Sequence, residues 1–156
     1  CQDNPTSWID WDKLDPDQIA FAAALIHFRK DHAAVRQNSF LHGAQRQVDG
    51  LKDVDWRAFD GSCLNWRDPG LSSLCLMLRG CAESVPGNAS LDTVLIAFNR
   101  EAREEVLVLP DPGKRRWIRK IDTSQAQQAA VEMDVRRTRV AAESVAAYVL
   151  REEPQA

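Results

Sequence analysis

Apolar residues follow two different rhythms along this chain. Between Asp15 and about His32 they recur at helical spacing. Ile19, Ala22, Ala23 and Ile26 form a stripe, and Phe21, Leu25 and Phe28 widen it. Asp15 suits an N-cap and Pro16 the first helical position, and Gln18 completes a capping-box-like pattern. Arg29 and Lys30 suit the negative pole of the helix dipole. So broad a stripe predicts a helix packed against a large neighbour. Such a helix is marginal alone in water. It therefore needs the rest of the chain, a larger body, or a second copy of itself as cover.

After Val35 the rhythm changes. Short apolar runs alternate with Gly, Pro, Asn and Asp breaks, the pattern of an all-β segment. Strands are predicted at Leu71–Leu78, ending at Gly80, and at Leu91–Phe98. Others are predicted at Val106–Leu109, around Trp117, Ile118 and Ile121, and at Val145–Leu150. Asp111-Pro112-Gly113 reads as a turn. The stretch Thr123–Val135 reads as a loop leading into a strand near Val131, Met133 and Val135. Leu41–Arg67 has Trp56, Phe59 and Trp66 but few aliphatic runs, so it is expected to wrap the sheet edge. The boundary between the two rhythms falls between Ala33 and Phe40.

Composition narrows the function classes. The chain has 156 residues, 44% of them hydrophobic and 28% charged, so it can build one core. Its net charge of −3 argues against nucleic acid as a partner. Lys114, Arg115, Arg116, Arg119 and Lys120 cluster, and are read as a solvated strand edge. No apolar run approaches the roughly 20 residues of a membrane span. None of the four cysteines, Cys1, Cys63, Cys75 and Cys81, forms a C-x-x-C pair or sits at zinc spacing from a histidine. Free thiols in a cytoplasmic protein are expected. No cofactor motif or metal cluster is visible, neither G-x-G-x-x-G nor a P-loop.

Catalytic sets are equally scarce. There is no G-x-S-x-G, and His27, His32 and His42 are read as packing or surface residues. Asp53, Asp55 and Asp60 lie close in sequence to Trp56. Acids beside tryptophans can build a sugar subsite, because indole faces stack on pyranose rings while carboxylates accept hydroxyl hydrogen bonds. Trp56 and Trp66 are thus candidate sugar-stacking residues, with core packing as the plainer alternative.

One resemblance spans nearly the whole chain. Cys1-Gln2-Asp3-Asn4, followed by Ser7-Trp8 and Asp10-Trp11, resembles a loop near the end of the catalytic barrel in isoamylase-type bacterial glycogen debranching enzymes, members of glycoside hydrolase family 13. The helix segment Ala24-Leu25-Ile26-His27-Phe28-Arg29-Lys30, the step Val35-Arg36, and Asp53-Val54-Asp55-Trp56 are similar to that family in order and spacing. So are Asp60-Gly61, Trp66-Arg67-Asp68-Pro69, the strand Leu74–Leu78, and the stretch from Asp92-Thr93 to Phe98-Asn99. The stretches Cys81–Ser90 and Thr123–Gln128 look like insertions relative to that pattern.

The resemblance implies a mainly β fold: an antiparallel β-sandwich preceded by a loop and one α-helix from the end of a (β/α)8 barrel. Residues 1–34 would be the terminal loop and last helix of the barrel, and 35–156 the C-terminal sandwich. Opening without Met on a dense polar and aromatic turn, the chain is expected to be the tail of a larger enzyme. The family hydrolyses α-1,6 branch linkages in glycogen with an aspartate nucleophile, a glutamate acid/base and a second aspartate, all expected upstream. No catalytic residue is expected here. Asp3 and Asn4 are candidates for contacting a glucose hydroxyl, with a loop-stabilising role as the alternative. The expected partner is α-glucan, reached through the parent barrel, with self-association through the exposed helix as a further possibility.

Overall fold

A computed structural model describes residues 3–80, 92–125, 130–133 and 136–152. The helix α1 spans Pro16–Asp31. The strands are β1 (Val54–Arg57), β2 (Ser73–Leu78), β3 (Val94–Asn99), β4 (Glu105–Val108), β5 (Arg115–Asp122), β6 (Val131–Met133), β7 (Arg137–Val140) and β8 (Ser144–Glu152). Six of them form one antiparallel sheet in the order β1-β2-β3-β8-β5-β6, while β4 and β7 pair separately. Among the described residues the fold is thus mainly antiparallel β with one α-helix, consistent with a β-sandwich, and neither sheet closes on itself.

Register gives the large sheet two distinct faces. One face carries Cys75, Met77, Leu95, Ala97, Trp117, Ala146 and Tyr148. It packs against Leu107 of β4 and Val140 of β7, with Phe59 and Leu109 closing the core. Trp117 satisfies its indole N–H on the Pro110 carbonyl at 2.9 Å, so a large ring can be buried without an unpaired donor.

The other face is apolar as well. Val54, Leu78, Val94, Val149 and Ile118 lie in one row across five strands. Trp56, Leu76, Ile96, Ala147 and Ile121 form a second row, and Leu74, Phe98 and Val145 a third. Phe28, Ala34 and Val35, from the end of α1 and the short 3-10 turn after it, cover part of this surface around Val94 and Val149. Phe98, in the third row, remains 37% exposed.

The helix starts at the cap its sequence predicts, Asp15. The Asp15 carboxylate accepts the Asp17 N–H at 2.9 Å, and Pro16 takes the first position. Yet no residue of α1 is buried, and Ile19, Leu25 and Ile26 face solvent. At its far end, His32 is buried and pairs with Asp92, whose second oxygen accepts the Ala34 N–H at 3.3 Å.

The segment expected to wrap the edge does so, but it also supplies β1, the edge strand itself. Asp53 organises the wrap. Its fully buried carboxylate accepts the N–H groups of His42, Gly43 and Val54 at 3.1, 2.8 and 2.7 Å. Gly43 sits at φ +73, a conformation that favours glycine. Arg46, also buried, pairs with Asp49 and donates to the Gly80 carbonyl at 3.3 Å. Burial alone would raise the Asp49 carboxyl, but the Arg46 hydrogen bond and charge hold it below its ordinary value.

Two sequence expectations need revision, and one strand went unpredicted. The basic run of β5 is not at an edge: the strand lies between β8 and β6, and Arg116 and Arg119 are paired with Glu132 and Asp122. Strand β7 carries only Thr138 and Val140 as buried residues between arginines, too short and polar to signal itself. The strand expected from Leu91 starts at Val94. Strand β6 lies where it was expected, while Leu91, Val135, Cys81–Ser90 and the later part of the 123–128 stretch lie outside the described residues.

Candidate functional site

Three surfaces bear on function. The first is the opening loop. Asn4 folds it into a turn: its side-chain oxygen accepts the Thr6 N–H at 3.0 Å, and its carbonyl accepts the Ser7 N–H at 2.9 Å. Asp3 accepts the Trp8 indole N–H. The polar groups of Asp3 and Asn4 are thus engaged in shaping their own loop, as Asx turns do. The rings of Trp8 and Trp11 and the side chain of Ile9 stand in solvent. Cys1 and Gln2 lie outside the described residues.

The second surface is the tryptophan pair. Trp56 on β1 and Trp66 in the loop before β2 stand ten positions apart in sequence and meet in space. Their ring centroids are 5.4 Å apart with planes at 72°, an edge-to-face contact. Trp56 is 37% exposed and Trp66 61%. The loop bearing Trp66 is held by two Asx turns, with Asn65 accepting the Arg67 N–H at 3.1 Å and Asp68 the Gly70 N–H at 2.8 Å.

Strand alternation separates Trp56 from the acids that flank it in sequence. Asp55 and Arg57 point to the opposite face and pair with each other at 2.7 Å. Asp53 is spent on backbone donors. The sequence-level idea of carboxylates beside the indole therefore fails for Asp53 and Asp55. What adjoins Trp56 across the sheet is Leu76. Asp60, an exposed residue, caps its own turn through the Ser62 N–H, and that hydrogen bond is the main cause that holds its carboxyl low.

The third surface is the apolar outer face of the sheet together with α1. A sheet that is apolar on both faces is stable only when both are covered. Among the described residues the cover reaches only the end near Ala34. A shallow cleft bounded by Phe98, Val145, Asn99 and Arg100 remains at the other end.

Chemistry is sparse elsewhere. Among the described residues there is no group of three or more His, Cys, Asp or Glu side chains placed to hold a metal ion. Cys75 is buried with its thiol against the Arg57 carbonyl, and burial pushes it up to about 11, so it is no nucleophile at neutral pH. Cys63 is an exposed free thiol. No described helix is long and apolar enough to cross a membrane.

Comparison with known proteins gives the context for these surfaces. No protein-family model matches the chain. A glycogen operon protein GlgX homolog of Mycobacterium tuberculosis is 30% identical over 135 residues, which is 80% of this chain and 19% of that protein. The homolog of the same name from Mycobacterium bovis matches equally. A glycogen debranching enzyme of Escherichia fergusonii is 31% identical over 114 residues, 71% of this chain and 14% of that enzyme. The chain thus spans about a fifth or less of the length of the curated relatives it matches. The likeness read from its motifs is a homology to one part of such proteins.

Proposed function

We propose that this segment, homologous to part of glycogen debranching enzymes, is a structural and accessory β-sandwich of such an enzyme. Residues 1–34 are the closing loop and last helix of a catalytic barrel, and residues 35–156 the C-terminal domain. The parent hydrolyses α-1,6 branch linkages of glycogen in the cytoplasm, and the catalytic carboxylates belong to the barrel rather than to this domain. The observation that carries this reading is the second apolar face of the sheet, with α1 beside it, exposing Ile19, Leu25, Ile26 and Phe98. Burying such a surface yields roughly 25 cal/mol per Å², and a body of the size its relatives possess is the natural cover.

Activity tests the accessory role directly. The isolated chain, incubated with a branched limit dextrin, should release no linear oligosaccharide. Measurable release would overturn the assignment. Docking is tested with the mycobacterial relative produced without the segment that matches this chain. Added in trans, this chain should bind it, and Ile26→Lys should weaken that binding without lowering the Tm of the isolated chain. If sedimentation instead shows a stable dimer that Ile26→Lys dissociates, the helix pairs with its own copy, and the docking reading fails.

A further inference from the structure

Five tryptophans occur in this chain, and their indole N–H groups divide into two classes. Trp117 donates to Pro110 inside the core, and Trp8 donates to Asp3 within its loop. Trp56 and Trp66 are different: among the described residues neither indole N–H donates a hydrogen bond, and both rings are exposed. Trp11 is exposed too, but it has no aromatic partner among the described residues. An exposed aromatic pair with unspent donors is the form of a recognition surface, because each ring offers an apolar face and a polar rim.

We propose that Trp56 and Trp66 together hold a neutral α-linked oligosaccharide, making this domain a glucan-holding element as well as a structural one. The neutrality follows from strand parity. Asp55 and Arg57 lie on the opposite face and neutralise each other, while the neighbour of Trp56 across the sheet is Leu76. Arg67 and Asp68, which follow Trp66 in its loop, are of opposite sign, so the surface carries no net charge to select an ionic ligand. The shape follows from the ring planes. At 72° to each other they cannot both lie flat against one layer of a protein. A chain of rings that turns between successive units can lay one ring on each. α-Linked glucans turn in this way, whereas β-1,4-linked glucans run straight. The free N–H groups at the indole rims then donate to sugar hydroxyls, replacing bonds to water. The choice of glucose as the unit rests on the debranching reading above; the neutral, turning ligand rests on the pair alone.

The test follows the five indole N–H resonances of the full chain by NMR during titration with maltoheptaose, with cellohexaose as the straight-chain control. Trp56 and Trp66 should shift together with a Kd on the order of 1 mM, while Trp117 stays fixed. Trp66→Ala should weaken binding by at least about tenfold, equivalent to about 1.4 kcal/mol. Its circular dichroism and Tm should match the parent chain, because the side chain is mostly in solvent. Trp11→Ala should bind normally. Several outcomes would overturn the proposal: silence of both indoles at ~10 mM maltoheptaose, unaltered binding by Trp66→Ala, or an equal response to cellohexaose. So would protection of both indoles by the segment-deleted relative with no response to sugar, since that assigns the pair to protein docking. None of these results bears on whether the isolated chain hydrolyses dextrin, so the two readings fail separately.

Discussion

His32 Nδ1 lies 3.1 Å from Asp92 Oδ1, joining the end of α1 to the start of β3 across sixty positions of chain. His32 is only 2% exposed, and its ring packs on Phe28 with centroids 4.7 Å apart. The second Asp92 oxygen accepts the Ala34 N–H. One carboxylate thus fixes both the helix end and the turn that follows it. Because no residue of α1 is itself buried, this junction and the Phe28–Ala34–Val35 contact hold the helix on the sheet.

Asp92→Ala should therefore loosen the helix. It leaves the Ala34 N–H and the His32 ring without their acceptor, and a buried unsatisfied group costs roughly 1–3 kcal/mol. Urea denaturation should show a loss of about 2 kcal/mol, and the Ala34 amide should exchange faster in deuterium oxide. Unchanged exchange at Ala34 would mean that the helix is held elsewhere.

Asp53→Ala should cost more. Three backbone donors converge on this fully buried carboxylate, and removing it strands all of them. A loss of about 3 kcal/mol is expected. Asp53→Asn retains one acceptor oxygen and should fall between that variant and the parent chain. Equal stabilities for all three in urea would show that the loop is not held by this group.

Alkali should destabilise the fold through Cys75. Burial raises its thiol from an ordinary 9.0 to about 11. Below pH 9 the thiol is protonated in both folded and unfolded chains, and its contribution is fully present. Between pH 9 and about 11 the unfolded chain loses the proton while the folded chain keeps it. Stability therefore falls as pH rises through that window, by about 3 kcal/mol. Tyr148, whose hydroxyl is raised chiefly by burial, adds a loss of the same sign at higher pH. Cys75→Ala should flatten the part of the Tm-against-pH curve that begins near pH 9. An unaltered slope would assign the alkaline loss to other groups.

Glu143→Gly should be neutral or stabilising, against the usual effect of added glycine. Glu143 adopts φ +49 in the turn before β8, and its side chain is exposed. A non-glycine residue in the left-handed region is strained by roughly 1 kcal/mol. Glycine relieves that strain but makes the unfolded chain more flexible. A Tm drop of several degrees would show that the Glu143 side chain contributes more than its backbone costs.

Local pattern was enough for the elements whose signal is local. Asp15, Pro16 and the apolar spacing marked α1, and the aliphatic runs of β2, β3 and β8 marked the centre of the sheet. These strands read as continuous apolar runs because both their faces are apolar. Strand β7 could not be read, since Arg137, Thr138, Arg139 and Val140 become a strand only by pairing with β4. The basic run of β5 was misread for the same reason: charge pattern marks solvent, whereas position between β8 and β6 is set by pairing.

The site divides along the same line. Periodicity pointed to a β domain, the resemblance of its motifs to a known family pointed to part of a debranching enzyme, and residue type singled out Trp56 and Trp66 as residues able to stack on sugar. Alternation along β1 then turned Asp55 and Arg57 away from Trp56, and the fold brought Trp66 onto its ring from ten positions along the chain. Residue identity sets what a side chain can do, and periodicity sets which neighbours share its face within one element. Which face meets solvent, and which distant ring arrives beside it, depends on strand pairing and loop closure, and these the tertiary structure alone decides.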